Sequence, residues 1–168
     1  VIKIRDDGKK GVMVEVNSET DFVAKDANFT DFADALGEAA LASDVADVEA
    51  LSALPIRVGE DLTVAAAREA LVAKIGENIQ VRRLVRFDDV QGVLHSYRHG
   101  VRIGVVAELE GADADLGKDV SMHIAASSPM CVGADQVPAE ALEKEKDIFR
   151  AQALDSGKPE NIVEKIIG

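Results

Sequence analysis

Between Gly11 and Asn17 apolar and polar residues alternate, with Val12, Val14 and Val16 on one side and Met13, Glu15 and Asn17 on the other. A period of two predicts a half-buried strand. The preceding Val1-Ile2-Lys3-Ile4 is strand-like as well. After Asn17 the chain turns polar. Ser18 and Thr20 can each cap a helix, and Ser18 with Asp21 three residues on fits the capping-box pattern, which puts Asp21 and Phe22 in the first turn of a short helix. Phe29, Phe32, Ala33, Leu36 and Ala40 then mark one face of a second helix starting near Asn28. A short helix around Val48 and Leu51 stops before Pro55, and Thr63 caps the alanine-rich TVAAAREALVAKIGEN, closed by Gly76 at its C′ position.

Three strands follow: Ile79, Val81, Val85 and Phe87 alternate in the first, Val93, His95 and Tyr97 in the second, and Ile103, Val105, Ala107 and Leu109 in the third. Turns at DDVQG and around His99 and Gly100 would join them into an antiparallel meander, with Arg82 and Arg86 pointing outward. From Asp113 the pattern becomes helical, with Leu116, Val120, His123 and Ile124 on one face and His123 at the edge of the core. A longer helix runs from about Ala139 to Ser156 carrying Leu142 and Phe149, and Gly157 and Pro159 separate it from a last stripe of Ile162, Val163 and Ile166. The fold class is α+β: an antiparallel meander flanked by helices, then a helical segment. The subdomain boundary is placed near Gly111, giving residues 1–110 and 111–168.

Composition narrows the function. The 168 residues carry a formal charge of −12, a poor basis for gripping phosphate backbones, so nucleic acid is not expected as a direct partner. No apolar run approaches the ~20 residues that cross a bilayer, and the single Cys131 suits a reducing, cytoplasmic setting. Both ends read as cut from a longer chain, and the terminal Ile162, Val163 and Ile166 stripe is expected to need a cover.

Catalytic and metal-binding patterns fail on inspection. The segment from Gly111 to Asp119 has five residues between its glycines and an acid where a phosphate loop needs Ser or Thr. Asp26, Asn28 and Thr30 imitate a calcium loop, but Asp31 stands where its glycine belongs and Gly37 where its bidentate Glu belongs. His95, His99 and His123 lack metal-ligand spacing and a nucleophilic partner, and no cofactor is implied. What remains is a surface made of turns. Phe22 has no periodicity of its own there, and position alone leaves burial under the next helix and exposure to a partner equally open.

Several blocks resemble one family in order. EVNSETDFVAK at 15–25 resembles the signature of elongation factor Ts, the nucleotide-exchange factor of the GTPase elongation factor Tu; KIGENIQVRR at 74–83, SYRHG at 96–100, MHIAAS at 122–127 and the final GKPENIVEKIIG resemble further blocks. The resemblance implies an intact amino-terminal core subdomain and the incomplete start of a second, without enzymatic chemistry of its own. It implies that Thr20, Asp21 and Phe22 form the tip that enters the GTPase near its magnesium and phosphate site, with Phe22 as the wedge. Ile75 and Gly76 resemble the second contact patch, Gly76 serving equally as a helix cap, and His99 resembles the third. The implied function is nucleotide exchange in translation elongation; the alternative is a non-catalytic interaction module that binds the GTPase but has lost exchange activity through truncation.

Overall fold

The computed structural model describes residues 1–157 and residue 162. Its first compact unit runs over Val1–Ser127 and its second begins at Ser128. Strand β1 (Ile2–Ile4) pairs antiparallel with β2 (Gly11–Asn17), which pairs antiparallel with β3 (Gln80–Phe87) on its other side. The alternation in β2 is realised: Val12 and Val14 are fully buried and Val16 packs at the edge of the core. Across them lie Phe29, Phe32, Leu36 and Ala40 of α1 (Ala27–Ala42), with Leu51 of α2 (Val48–Ala53) and Val64 and Leu71 of α3 (Val64–Ile75) completing one core. Each of the Val, Leu and Phe side chains contributes about 1.5–3 kcal/mol through burial. Caps set the helix limits. Asp26, Asp47 and Thr63 accept from the amides of Asn28, Ala50 and Ala66, and α3 ends on Gly76 at φ 82°, ψ 10°, a left-handed conformation that favours glycine.

The mixed antiparallel sheets and helices are α+β, but the three later strands are not one meander. β3 joins β1 and β2, while β4 (Val93–His99) pairs only with β5 (Ile103–Leu109) in a separate two-stranded sheet. The DDVQG link is held by other groups. Lys9 donates its ammonium to the carbonyls of Gln91 and Gly92, Glu108 accepts from both their amides, and the Leu94 amide donates to the Gly8 carbonyl. These contacts carry the chain away from β3 toward the β1–β2 turn.

A bulge corrects the facing of β3. Glu15 pairs with Arg83 but Val16 pairs with Val81, so Arg82 is the extra residue and the side-chain parity flips beyond it. Val81 and Leu84 therefore pack on the core, and Val85, expected alongside Val81, is 48% exposed. Arg82 points outward as expected, yet Arg86 does not: its side chain is 8% exposed. Its guanidinium donates to the Ala40 carbonyl at 2.7 Å in the last turn of α1, one of the carbonyls a helix leaves open, and to Asp88.

Helix α4 (Ala114–Ser127) lies on the β4–β5 hairpin through a face that keeps the expected Val120 and Ile124 half-buried but is centred on Gly117 and Ser121. Gly117 and Ser121 are buried, Leu116 is half exposed, and His123 is exposed with Nε2 3.3 Å from the Ser127 hydroxyl rather than at a core edge. The reason is a close approach. A Cβ on Gly117 would fall inside the imidazole of His95, so the helix can lie on the strand only where a residue has no side chain. In the second unit, α5 (Ala139–Asp155) matches the expected span and leaves Leu142 and Phe149 largely exposed. Of the expected terminal stripe, Val163 and Ile166 lie outside the described residues, as does Pro159.

Candidate functional site

The turn after β2 is built around one buried residue beside one exposed residue. Val23 opens a 3₁₀ turn, Val23–Lys25, and is buried against the core, which fixes the inner side of the turn. Phe22, immediately before it, is helical in backbone at φ −66°, ψ −48° and 89% exposed. Burial of Phe22 under α1 is thereby excluded. The expected capping box does not form: Ser18 donates its hydroxyl to the Thr20 carbonyl, Asp21 turns elsewhere, and the Thr20 hydroxyl accepts a long 3.4 Å bond from the Val23 amide.

The other sequence-derived residues occupy two further places in the same unit. Ile75 packs partly against the core at the end of α3, and Gly76 donates its amide to the Val72 carbonyl at 2.8 Å. A Cβ on Gly76 would meet nothing within 4 Å, so its backbone conformation, and not crowding, calls for glycine and leaves the position open. His99 ends β4, exposed, with Nδ1 3.0 Å from the Tyr97 hydroxyl.

Two residues the sequence reading did not single out join these places. Glu77, next to Gly76, accepts the Thr20 hydroxyl at 2.6 Å and the amides of Thr20 and Glu19 at 3.0 and 3.2 Å. Arg102, in the turn after β4, donates through Nη2 to both carboxylate oxygens of Asp21 at 2.6 and 2.7 Å. This hydrogen bond, with the charge behind it, holds the Asp21 carboxyl below its ordinary range and raises Arg102. The tip and the hairpin turn face one another across a groove of about 820 Å³ bordered by Thr20, Asp21, Gly100 and Arg102. Thr20 is thus tied to the Ile75–Gly76 end of α3 and Asp21 to the His99 turn, while Phe22, next in the chain, stays exposed.

One signal for Glu77 was present in the sequence. A carboxylate just past a helix carboxyl end sits against the negative pole of the helix dipole, so its presence there asks for a partner elsewhere. Arg102 offers only a weaker signal, a cation in a hairpin turn of an acidic chain.

Comparison with known proteins agrees with the motif blocks. The family model described as Elongation factor TS matches residues 19–168. Elongation factor Ts of Thioalkalivibrio sulfidiphilus (strain HL-EbGR7) is 53% identical over 168 residues, covering 99% of this chain and 56% of the relative. That of Methylococcus capsulatus (strain ATCC 33009 / NCIMB 11132 / Bath) is 54% identical over 165 residues, covering 98% and 56%. That of Alcanivorax borkumensis (strain ATCC 700651 / DSM 11573 / NCIMB 13689 / SK2) is 52% identical over 168 residues, covering 100% and 58%. The chain therefore spans a little over half the length of these relatives. With a family match over most of its length and its signature turn presenting the exposed Phe22, the chain belongs to the elongation factor Ts family.

Proposed function

We propose that this chain promotes release of GDP from elongation factor Tu during translation elongation in the cytoplasm, with Thr20, Asp21 and Phe22 as the tip that enters the GTPase. Ile75, Gly76 and His99 supply two flanking contacts. The observation that carries this reading is Phe22, 89% exposed at the start of a turn whose neighbouring residues are tied down. Aromatic anchors of this kind fill pockets and dominate interface energies. Presentation on a turn braced by a strand and a helix suits recognition.

The mechanism needs no bond to be made or broken by this chain. In a GTPase, magnesium bridges the nucleotide phosphates to the protein, so a conformation that displaces its ligands holds nucleotide less well. A factor that binds this conformation preferentially lowers nucleotide affinity by some ratio, and nucleotide lowers affinity for the factor by the same ratio. GDP leaves faster, and incoming nucleotide then releases the factor.

Replacement of Phe22 by Ala tests the wedge directly. Stopped-flow release of fluorescent GDP from elongation factor Tu should slow at least about tenfold relative to the unsubstituted factor, because a hot-spot aromatic is worth more than ~2 kcal/mol. The melting midpoint should stay within a few degrees, since the ring has little to lose on unfolding. Equal stimulation by both proteins would refute the wedge. Binding by the unsubstituted protein without any stimulation would assign it the role of a docking module instead.

A further inference from the structure

Glu77 lies beyond the end of α3, but its carboxylate reaches across to the tip turn. There three donors converge on it: the Thr20 hydroxyl at 2.6 Å, the Thr20 amide at 3.0 Å and the Glu19 amide at 3.2 Å. Two successive backbone amides and a hydroxyl aimed at one carboxylate resemble a helix N-terminus gripping its cap, with the acid supplied from a distant part of the chain. The Thr20 hydroxyl that donates to Glu77 also accepts from the Val23 amide at 3.4 Å, which links the carboxylate to the buried pin of the turn. Phe22 lies between Thr20 and Val23, so both ends of its short segment are held while its ring is left free.

We propose that Glu77 is a positioning residue for nucleotide exchange, which clamps the Thr20–Phe22 tip to the end of α3 so that Phe22 and the Ile75–Gly76 patch meet the GTPase as one preset surface. The proposal rests on the exchange reading above and deepens it. Glu77 need not touch the GTPase. Its effect is to remove ordering of the tip from the binding step, which otherwise opposes association. The charge matters as well as the shape, because hydrogen bonds to an ionised acceptor are shorter and stronger than neutral ones. A Gln at this position keeps the length and one acceptor oxygen but loses the charge.

The test uses the full-length protein with Glu77→Ala, Glu77→Gln and Thr20→Val, singly and with Glu77→Ala combined with Thr20→Val. Amide hydrogen exchange at Glu19 and Thr20 reads the clamp, GDP release at sub-saturating factor reads its consequence, and melting reads the fold. With the charge-assisted bonds lost, Glu77→Ala should raise exchange at the two amides and lower the release rate at sub-saturating factor, each about fivefold, with Glu77→Gln intermediate. The melting midpoint should move by only a few degrees. The double variant should lose less than the product of the single losses, because both changes break the same link.

Unchanged amide protection in Glu77→Ala would overturn the clamp, and fully multiplicative losses would assign Glu77 to a direct contact with the GTPase. A rate loss explained by the unfolded fraction would reduce Glu77 to a structural role, and Glu77→Gln decides the same questions if the alanine variant does not fold. Failure of the unsubstituted protein to stimulate release would overturn the exchange reading and this role with it, while the amide data alone would still show whether the clamp exists.

Discussion

Thr20, Asp21 and Phe22 are consecutive, and each side chain goes to a different place. The hydroxyl reaches Glu77, the carboxylate reaches Arg102, and the ring goes to solvent. The Asp21–Arg102 pair is largely exposed, so its worth to global stability is small; what it does is link the Thr20–Phe22 turn to the turn that bears His99. His99 itself meets Tyr97 on its own strand, through the phenol hydroxyl and a tilted ring contact. On the proposed exchange role, His99→Ala should weaken complex formation with elongation factor Tu roughly three- to tenfold, as peripheral contacts of an interface do, and leave the melting midpoint nearly unchanged. Titration calorimetry beside a melting curve checks both. A large fall in midpoint with intact affinity would move His99 from the interface to the fold.

At the scale of elements, the most informative contact is that of α4 with β4. Gly117 lets the helix backbone lie against the His95 ring, whose Nε2 is a buried nitrogen without a hydrogen-bond partner among the described residues. Gly117→Ala would normally favour a helix, because alanine is the better helix former. Here the added methyl group has to displace the imidazole, so the substitution should instead destabilise the protein by about 1–3 kcal/mol, as overpacking does. Urea unfolding of the two proteins measures the difference. A stabilising result would show that helix and hairpin are free to separate at that point.

The same contact marks where the sequence stopped being readable. Strand and helix periodicity, the Thr63 cap and the Gly76 stop were legible because each rests on residues close together in the chain. The centre of the α4 face was not, because Leu116 outranks glycine on any apolar count while the actual constraint is the room left above a distant histidine. Likewise, Arg86 sits at an outward position by simple alternation, and only the pairing with β2, which places a bulge at Arg82, turns it inward to the end of α1. At the candidate site the exposed aromatic was legible as an anomaly and through the resemblance. The two braces were not, since Glu77 and Arg102 meet the tip across sequence separations of 57 and 81 residues.

Over the whole molecule, a formal charge of −12 sets carboxylates close together, and the fold answers by pairing many of them. Arg5 lowers Asp7, Asn28 lowers Asp26, Lys10 lowers Asp44 and Arg86 lowers Asp88, each chiefly through a hydrogen bond. At Glu15 burial pushes upward, but hydrogen bonds from Arg83 and Arg82 outweigh it and the net shift is downward. A carboxyl whose folded pKa is depressed binds protons more readily in the unfolded chain. Its stabilising contribution is complete above the unfolded pKa, about 3.9 for Asp and 4.3 for Glu, and is lost as pH falls through the folded value. Mutual repulsion acts the other way, since mild acidification discharges a crowded negative surface and slightly favours the compact state. The melting midpoint should therefore hold steady or rise a little from pH 7 to about 5, and fall below about pH 4. Scanning calorimetry across that range, repeated with Asp26→Asn and Asp88→Asn together, separates the two effects. The double variant should start lower at pH 7, where both depressed carboxyls are charged, and lose less on acidification. A midpoint that keeps rising down to pH 3 would mean that relief of repulsion outweighs the pairs, and that the lowered carboxyls do little to hold the fold.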